Sequence, residues 1–131
     1  MDIQFHHIGC LVEKIEIAIA DYKILYPKNS ASQIWEIEAQ KVKVCFFPIS
    51  PTSFIEFVEP FEEKNSLHKM RKKGNSFYHL AFLCSEFDKA LLHYETNGYR
   101  KLNEFNSEAF DGKRCTFVYN NEMHLIELIE R

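Results

Sequence analysis

The sequence has 131 residues, a formal net charge of −3 and an apolar share of 46%, with 12 Phe and 6 Tyr. This length suits one domain with a closed hydrophobic core, and the composition is not that of a disordered chain. The mildly acidic balance excludes a protein built to coat nucleic acid, and no run of about 20 apolar residues is present to cross a membrane. We therefore expect neither a nucleic-acid partner nor a membrane partner.

The cysteines are widely spaced and lie inside apolar runs, at Cys10, Cys45, Cys84 and Cys115. A cysteine in such a run usually acts as a small buried hydrophobe, and no pair has the spacing of a metal site. The first residues do not combine a basic segment with an apolar one, so they do not resemble a secretory signal. We therefore expect a reduced, cytoplasmic protein.

An internal repeat organises the chain. Residues 5–23 align with residues 77–95 at an offset of 72, which superposes His7 on His79. Near the end of each copy, FIEFVE (54–59) aligns with LIELIE (125–130) at an offset of 71. The repeat predicts a single domain over 1–131 that contains two modules, 1–60 and 77–131, joined by a linker at 61–76.

The first copy begins with a strand rich in apolar and β-branched residues, Ile3–Val12. A helix follows, because apolar side chains recur at the i, i+3, i+4, i+7 spacing from Ile15 to Tyr22. Three further strands are predicted at Gln33–Glu38, Lys41–Pro48 and Ser53–Glu59.

The second copy has the same order. A strand at Phe77–Cys84 precedes a helix whose apolar positions run from Phe87 to Tyr94. Ser85 and Asp88 resemble a capping box at the start of this helix, and Asn97-Gly98 is a typical helix end. Its three strands are predicted at Tyr99–Phe105, Lys113–Tyr119 and Met123–Glu130. Each copy is thus a βαβββ module, and because one helix covers only one sheet face, the fold class is α+β with paired modules.

Four ionisable residues stand in the middle of apolar strands, at equivalent positions of the two copies: His7 and Glu56, and His79 and Glu127. Alternation along a strand places each of them among apolar neighbours on its face. A buried, uncompensated carboxylate costs several kcal/mol or more, about the scale of a domain's whole stability. Two imidazoles and two carboxylates would bind one divalent metal ion, of Zn, Co, Ni, Mn or Fe type, which supplies that compensation. The alternative without metal is a set of hydrogen bonds among the four residues.

The chain resembles the vicinal oxygen chelate superfamily, which includes glyoxalases, bleomycin resistance proteins and dioxygenases. The resemblance rests on five segments: HHIG (6–9), FIEFVEPF (54–61), YHLAF (78–82), DGKRCTFV (111–118) and LIELIE (125–130). It implies tandem βαβββ modules that form a cupped, mainly antiparallel sheet with helices on the outer face. Within the superfamily, the motif order is most similar to methylmalonyl-CoA epimerases and small glyoxalase I-like proteins. The superfamily's metal ligands fall on His7, Glu56, His79 and Glu127.

The function that follows is a metal-dependent isomerase or lyase, epimerase-like or glyoxalase-like, acting on a small-molecule carbonyl or thioester. Glu127 and Glu56 are the candidate acid–base residues, with Glu127 preferred by family analogy. A metal-dependent dioxygenase and a non-catalytic binding or resistance protein of the same fold are the alternatives.

Two further features bear on partners. The basic stretch of Lys69, Arg71, Lys72 and Lys73 is either a solvated helix face or a contact for the phosphates of a CoA-like substrate. A homodimer is expected because open sheets of this kind expose edges that tend to be paired or covered. His6 and His124 have the opposite strand parity to the nearby ligands and are expected to be packing or rim residues.

Overall fold

The computed structural model describes residues 2–122 and 124–131. Its first half contains strand β1 (Ile3–Leu11), helix α1 (Ile15–Leu25) and strands β2 (Trp35–Ile37), β3 (Val42–Pro48) and β4 (Phe54–Pro60). A short helix, α2 (Leu67–Lys72), lies between the two copies. The second half contains β5 (Phe77–Cys84), α3 (Phe87–Thr96), β6 (Arg100–Ser107), a 3₁₀ turn (Glu108–Phe110), β7 (Lys113–Tyr119) and β8 (Leu125–Glu130). The predicted α+β chain of two βαβββ modules is confirmed.

The predicted boundaries differ from the structure mainly at short strands. β2 keeps only three residues of the predicted Gln33–Glu38, and β6 extends to Ser107. Met123, the predicted first residue of the last strand, lies outside the described residues. In the part of the chain that the structure describes, no helix is long and apolar enough to span a bilayer.

The chain divides into two compact units. The central unit is Ile8–Tyr78, and the terminal unit combines the chain up to His7 with His79–Arg131. The strand order in the central unit is β2-β3-β4-β1, and in the terminal unit it is β1-β5-β8-β7-β6. Strand β1 contributes its second half to the central unit and its first half to the terminal unit.

In the central unit, α1 packs on one face of β1, β3 and β4. Its buried Ile15 joins a cluster with Cys10, Phe47 and Phe57, and Tyr22 adds edge-on contacts with both phenylalanine rings. The first turn of α1 receives its cap from a neighbouring strand, because the Ile15 N–H donates to Glu59 Oε1 at 2.9 Å. The helix face predicted from the amphipathic spacing is therefore the face that packs against the strands.

In the terminal unit, α3 covers β7 and β8 through a buried cluster of Cys84, Phe87, Ala90, Leu91, Val118 and Leu128. The predicted capping box of Ser85 and Asp88 is wrong, since α3 has no side-chain cap. Ser85 Oγ instead accepts a hydrogen bond from the Asp2 N–H, and the Asp88 carboxylate binds Arg114. Both polar groups are used by distant parts of the chain, which local spacing cannot reveal.

The opposite face of the terminal unit carries a second apolar cluster. Ala81, Cys115 and Ile129 are its buried members, and Leu83, Phe105 and Phe110 pack against them. β7 and β8 are antiparallel with Phe117 opposite Glu127, while β5 and β8 are parallel with Ala81 opposite Glu127. This register places Glu127 in the middle of a face that is otherwise apolar.

Candidate metal centre

Three of the four predicted ligands converge within the terminal unit. His7 Nε2 lies 3.1 Å from His79 Nε2 and 3.4 Å from Glu127 Oε1, and His79 Nε2 lies 3.3 Å from the same oxygen. These residues come from β1, β5 and β8, which are neighbours in the strand order. His7 is 0% exposed, and His79 and Glu127 are each 6% exposed. The three donor atoms therefore form a small, buried triangle.

The donor triangle fits a divalent ion. Two ring nitrogens and a carboxylate oxygen at this spacing bring their lone pairs together, which is unfavourable unless a proton or a cation lies between them. Ligand atoms about 2.1 Å from a first-row metal ion are separated by about 3.0 Å along an octahedral edge and about 3.4 Å along a tetrahedral edge. The observed separations of 3.1 to 3.4 Å fall in that interval. Imidazole nitrogen with carboxylate oxygen is also the donor chemistry that such ions accept.

Aromatic rings line this triangle. Phe117 meets the His79 ring edge-on, with centroids 5.1 Å apart, and Phe105 stacks on Phe117. The Phe110 ring is roughly parallel to the His7 ring, with centroids 6.3 Å apart. Apolar surroundings strengthen charge interactions at the centre and restrict water there, so the charged groups act on one another and on a bound ligand.

Glu56, the fourth predicted ligand, belongs to the central unit. It lies in the middle of β4, opposite Phe46 on β3, and is 6% exposed. Its charge acts on two buried thiols: burial first, and the Glu56 carboxylate second, raise the pKa of Cys10 and that of Cys45 to about 11 each. Both cysteines are buried members of the apolar cluster under α1, which confirms that they are packing residues.

His6 has a contact that the sequence analysis missed. Strand alternation predicted a packing or rim residue, yet His6 Nδ1 lies 2.8 Å from His7 Nδ1. Its ring also meets Phe110 edge-on at 5.2 Å. The adjacent pair of histidines was the available signal, but alternation argued against a contact between neighbouring side chains.

Three residues of the basic stretch, Lys69, Arg71 and Lys72, lie on α2 in the central unit, and Lys73 follows the helix. Arg71 lines a cavity of about 430 Å³ there. The same cavity is lined by two lysines, Lys14 and Lys43, and by three carboxylates, those of Glu13, Glu59 and Glu63. The number of carboxylates equals the number of lysine and arginine side chains, so the cavity has no strong positive field for phosphates. The interpretation of the stretch as a solvated helix face agrees better with this arrangement.

Comparison with known proteins gives one family and several relatives. The model of the Glyoxalase/Bleomycin resistance protein/Dioxygenase superfamily matches residues 6–119. The uncharacterized protein YqjC of Bacillus subtilis (strain 168) is 29% identical over 127 residues, which are 95% of this chain and 89% of that protein. The family match spans the positions of His7, Glu56 and His79, and Glu127 lies beyond its end.

Two solved structures illustrate the shared fold. The hypothetical protein BH1468 of Bacillus halodurans C-125 is 22% identical, with a TM-score of 0.85 over 100% of this chain and 96% of that one. A variant of Streptomyces coelicolor methylmalonyl-CoA epimerase, in complex with 2-nitronate-propionyl-CoA, is 24% identical. Its TM-score is 0.84, over 97% of this chain and 93% of the epimerase. At these identities the likeness establishes the fold.

Proposed function

The chain belongs to the Glyoxalase/Bleomycin resistance protein/Dioxygenase superfamily, and from this premise we propose that it is a metal-dependent isomerase or lyase. The reaction would move a proton next to a carbonyl of a small-molecule substrate, as in an epimerase or a glyoxalase. The observation that carries the proposal is the buried triangle of His7, His79 and Glu127, whose separations suit a divalent ion.

The proposed ligands are His7, Glu56, His79 and Glu127. Glu56 is included because it occupies in the first copy the position that Glu127 occupies in the second, FIEFVE against LIELIE. Its low exposure supports the same role, since a carboxylate buried on an apolar strand needs a compensating charge. The ion would be Zn, Co, Ni, Mn or Fe, all of which accept imidazole and carboxylate ligands.

The chemistry divides between the ion and the protein. When bound, a divalent ion polarises a substrate carbonyl and makes the neighbouring C–H more acidic. Glu127 is the proposed base that takes this proton at a carboxylate oxygen and returns it. Glu56 is the proposed partner for the opposite face of the carbon, because an epimerase needs an acid–base group on each side. Phe117 and Phe110 restrict water around the centre, which protects a carbanion-like charge from quenching.

The substrate class is a carbonyl compound or a thioester. The Streptomyces coelicolor epimerase of the same fold was solved with a CoA compound, which supports testing CoA thioesters first. Hemithioacetals are the second substrate class to test. A glyoxalase also moves a proton at a carbon next to a carbonyl group.

Proton exchange tests the proposal directly. In deuterated buffer, the metal-loaded protein is expected to exchange the α-proton of methylmalonyl-CoA or of a hemithioacetal for deuterium. Proton NMR measures this exchange as the loss of the α-proton signal. Glu127→Gln keeps the size of the side chain and one oxygen but removes the base, so the exchange rate should fall by about 10²- to 10⁴-fold. Glu16→Gln, at an exposed position of α1, is the matched control and should retain the parent rate. Metal content is measured on the same samples.

The outcome that contradicts the proposal is a fully metal-loaded parent that exchanges no proton on either substrate class. That result would favour a non-catalytic binding or resistance protein of the same fold.

A dioxygenase is the second candidate, and one observation favours it. Two imidazoles and one carboxylate already meet within the terminal unit, which is the usual ligand set of non-haem iron oxygenases. Such an enzyme would consume oxygen in the iron-loaded form and would not need the Glu56 carboxylate. Oxygen uptake by the iron-loaded protein, compared with Glu56→Gln, separates this candidate from the isomerase or lyase.

A further inference from the structure

His6 and His7 are joined by their ring nitrogens. The two Nδ1 atoms are 2.8 Å apart, so one of them carries the proton and the other accepts it. His7 directs its second nitrogen, Nε2, at His79 and Glu127. The proton on the His6–His7 contact therefore determines what His7 can offer to the donor triangle.

Only one proton arrangement suits metal binding through His7 Nε2. A ligating nitrogen needs a free lone pair, so the His7 proton must sit on Nδ1 and be donated to His6 Nδ1. His6 then carries its own proton on Nε2. In the reverse arrangement, His6 donates to His7 and the His7 proton occupies Nε2, which blocks the ligand atom.

Phe110 holds this pair of rings in place. Its ring meets His6 edge-on at 5.2 Å and lies within 15° of parallel to His7 at 6.3 Å. The His6 and His7 rings are themselves nearly perpendicular, at 84°. The two imidazoles thus keep the mutual angle that their Nδ1 contact requires, and this contact lies wholly within the terminal unit.

We propose that His6 is a positioning residue for the metal centre: it accepts the Nδ1 proton of His7 and so fixes the tautomer and the ring orientation of that ligand. The inference rests on the proposed metal site. Partners of this kind raise metal affinity because they orient the ligand before the metal binds. Their loss typically lowers the affinity by about 10- to 100-fold.

Two variants of equal shape test the role. In His6→Asn, the amide oxygen occupies the position of the His6 Nδ1 atom and can accept a hydrogen bond. In His6→Leu, the side chain branches at the same atom as that of Asn but carries no acceptor. We expect His6→Leu to weaken Co²⁺ and Zn²⁺ binding by about 10- to 100-fold, measured by competition with a chromogenic chelator. His6→Asn should stay within about threefold of the parent, because its amide oxygen still accepts the His7 proton.

A second readout reports the tautomer itself. Nitrogen-15 spectra of the zinc-loaded parent should show the His7 proton on Nδ1, protected from solvent exchange, and His6→Leu should lose that protection. His6→Leu binding both metals as tightly as the parent would overturn the role of His6 alone, and so would equal losses in the Asn and Leu variants. A parent that binds neither Co²⁺ nor Zn²⁺ would overturn the proposed metal site and this inference together.

Discussion

Glu127 shows how a single residue can define a centre. The residue is 6% exposed, and its carboxylate lies beside two imidazole nitrogens at 3.3 and 3.4 Å. Burying such a charge is costly unless it is paired, and neutral imidazoles supply only dipoles. The proposed divalent ion would compensate this charge and would use the lone pairs of the neighbouring rings at the same time. The argument applies equally to Glu56, whose position in the other copy is equivalent.

Substitutions at two ligand positions should differ in severity. Glu56→Gln retains one oxygen donor, whereas His79→Ala removes a donor atom entirely and leaves a space beside Phe117. We therefore expect Glu56→Gln to weaken metal binding less than His79→Ala. The metal dissociation constant of His79→Ala should exceed that of Glu56→Gln by at least about tenfold. Chelator competition with Co²⁺ measures both. Equal affinity in the parent and in the two variants would show that the ligand assignment is wrong.

At the scale of elements, Arg114 joins three parts of the terminal unit. From β7, its guanidinium binds Asp88 on α3 through two hydrogen bonds of 3.0 and 3.2 Å, and it also binds Glu130 on β8. The same group lies 4.7 Å from the centre of the Phe87 ring. Hydrogen bonds from Arg114 hold the pKa of the Asp88 carboxyl and that of the Glu130 carboxyl below their ordinary values. This network ties the helix to the strand that carries Glu127.

The lowered pKa values give the network a defined pH dependence. A carboxyl with a lower pKa in the folded state stabilises the fold fully above its ordinary pKa, here 3.8 for Asp88 and 4.5 for Glu130. That stabilisation is lost as the pH falls through the lowered values. Arg114→Met, which keeps apolar contact with Phe87, should therefore lower the melting temperature by a few degrees at pH 7 and by less near pH 3. Thermal melts at both pH values measure this, and a difference that grows on acidification would contradict it.

At the scale of the whole molecule, the internal repeat predicted most of the secondary structure. Alternation and helical spacing are local properties, so they placed His79 and Glu127 on apolar strands and α1 on the correct face. The use of Asp88 by Arg114 and the contact of Phe110 with His6 depend on residues distant in the chain, and no local pattern encodes them. The same reason explains the wrong capping box at Ser85.

Two statements about the whole molecule stay predictions. One is the single domain with modules 1–60 and 77–131, and the other is the homodimer. The edge strand of the terminal unit, β6, carries Arg100, Lys101 and Glu104 and a register shift between the last two. Charges and bulges of this kind protect an edge from pairing with another chain. A dimer would therefore be expected to use a different surface.

The central proposal is that this chain holds one divalent ion through His7, Glu56, His79 and Glu127. Elemental analysis of the purified protein, after metal addition and desalting, tests it most directly when His79→Ala is analysed beside the parent. We expect about one Zn, Co, Ni, Mn or Fe ion per chain in the parent, from the single ligand set, and a large loss in the variant. No metal in the parent, or the same metal content in the His79→Ala variant, would contradict the claim.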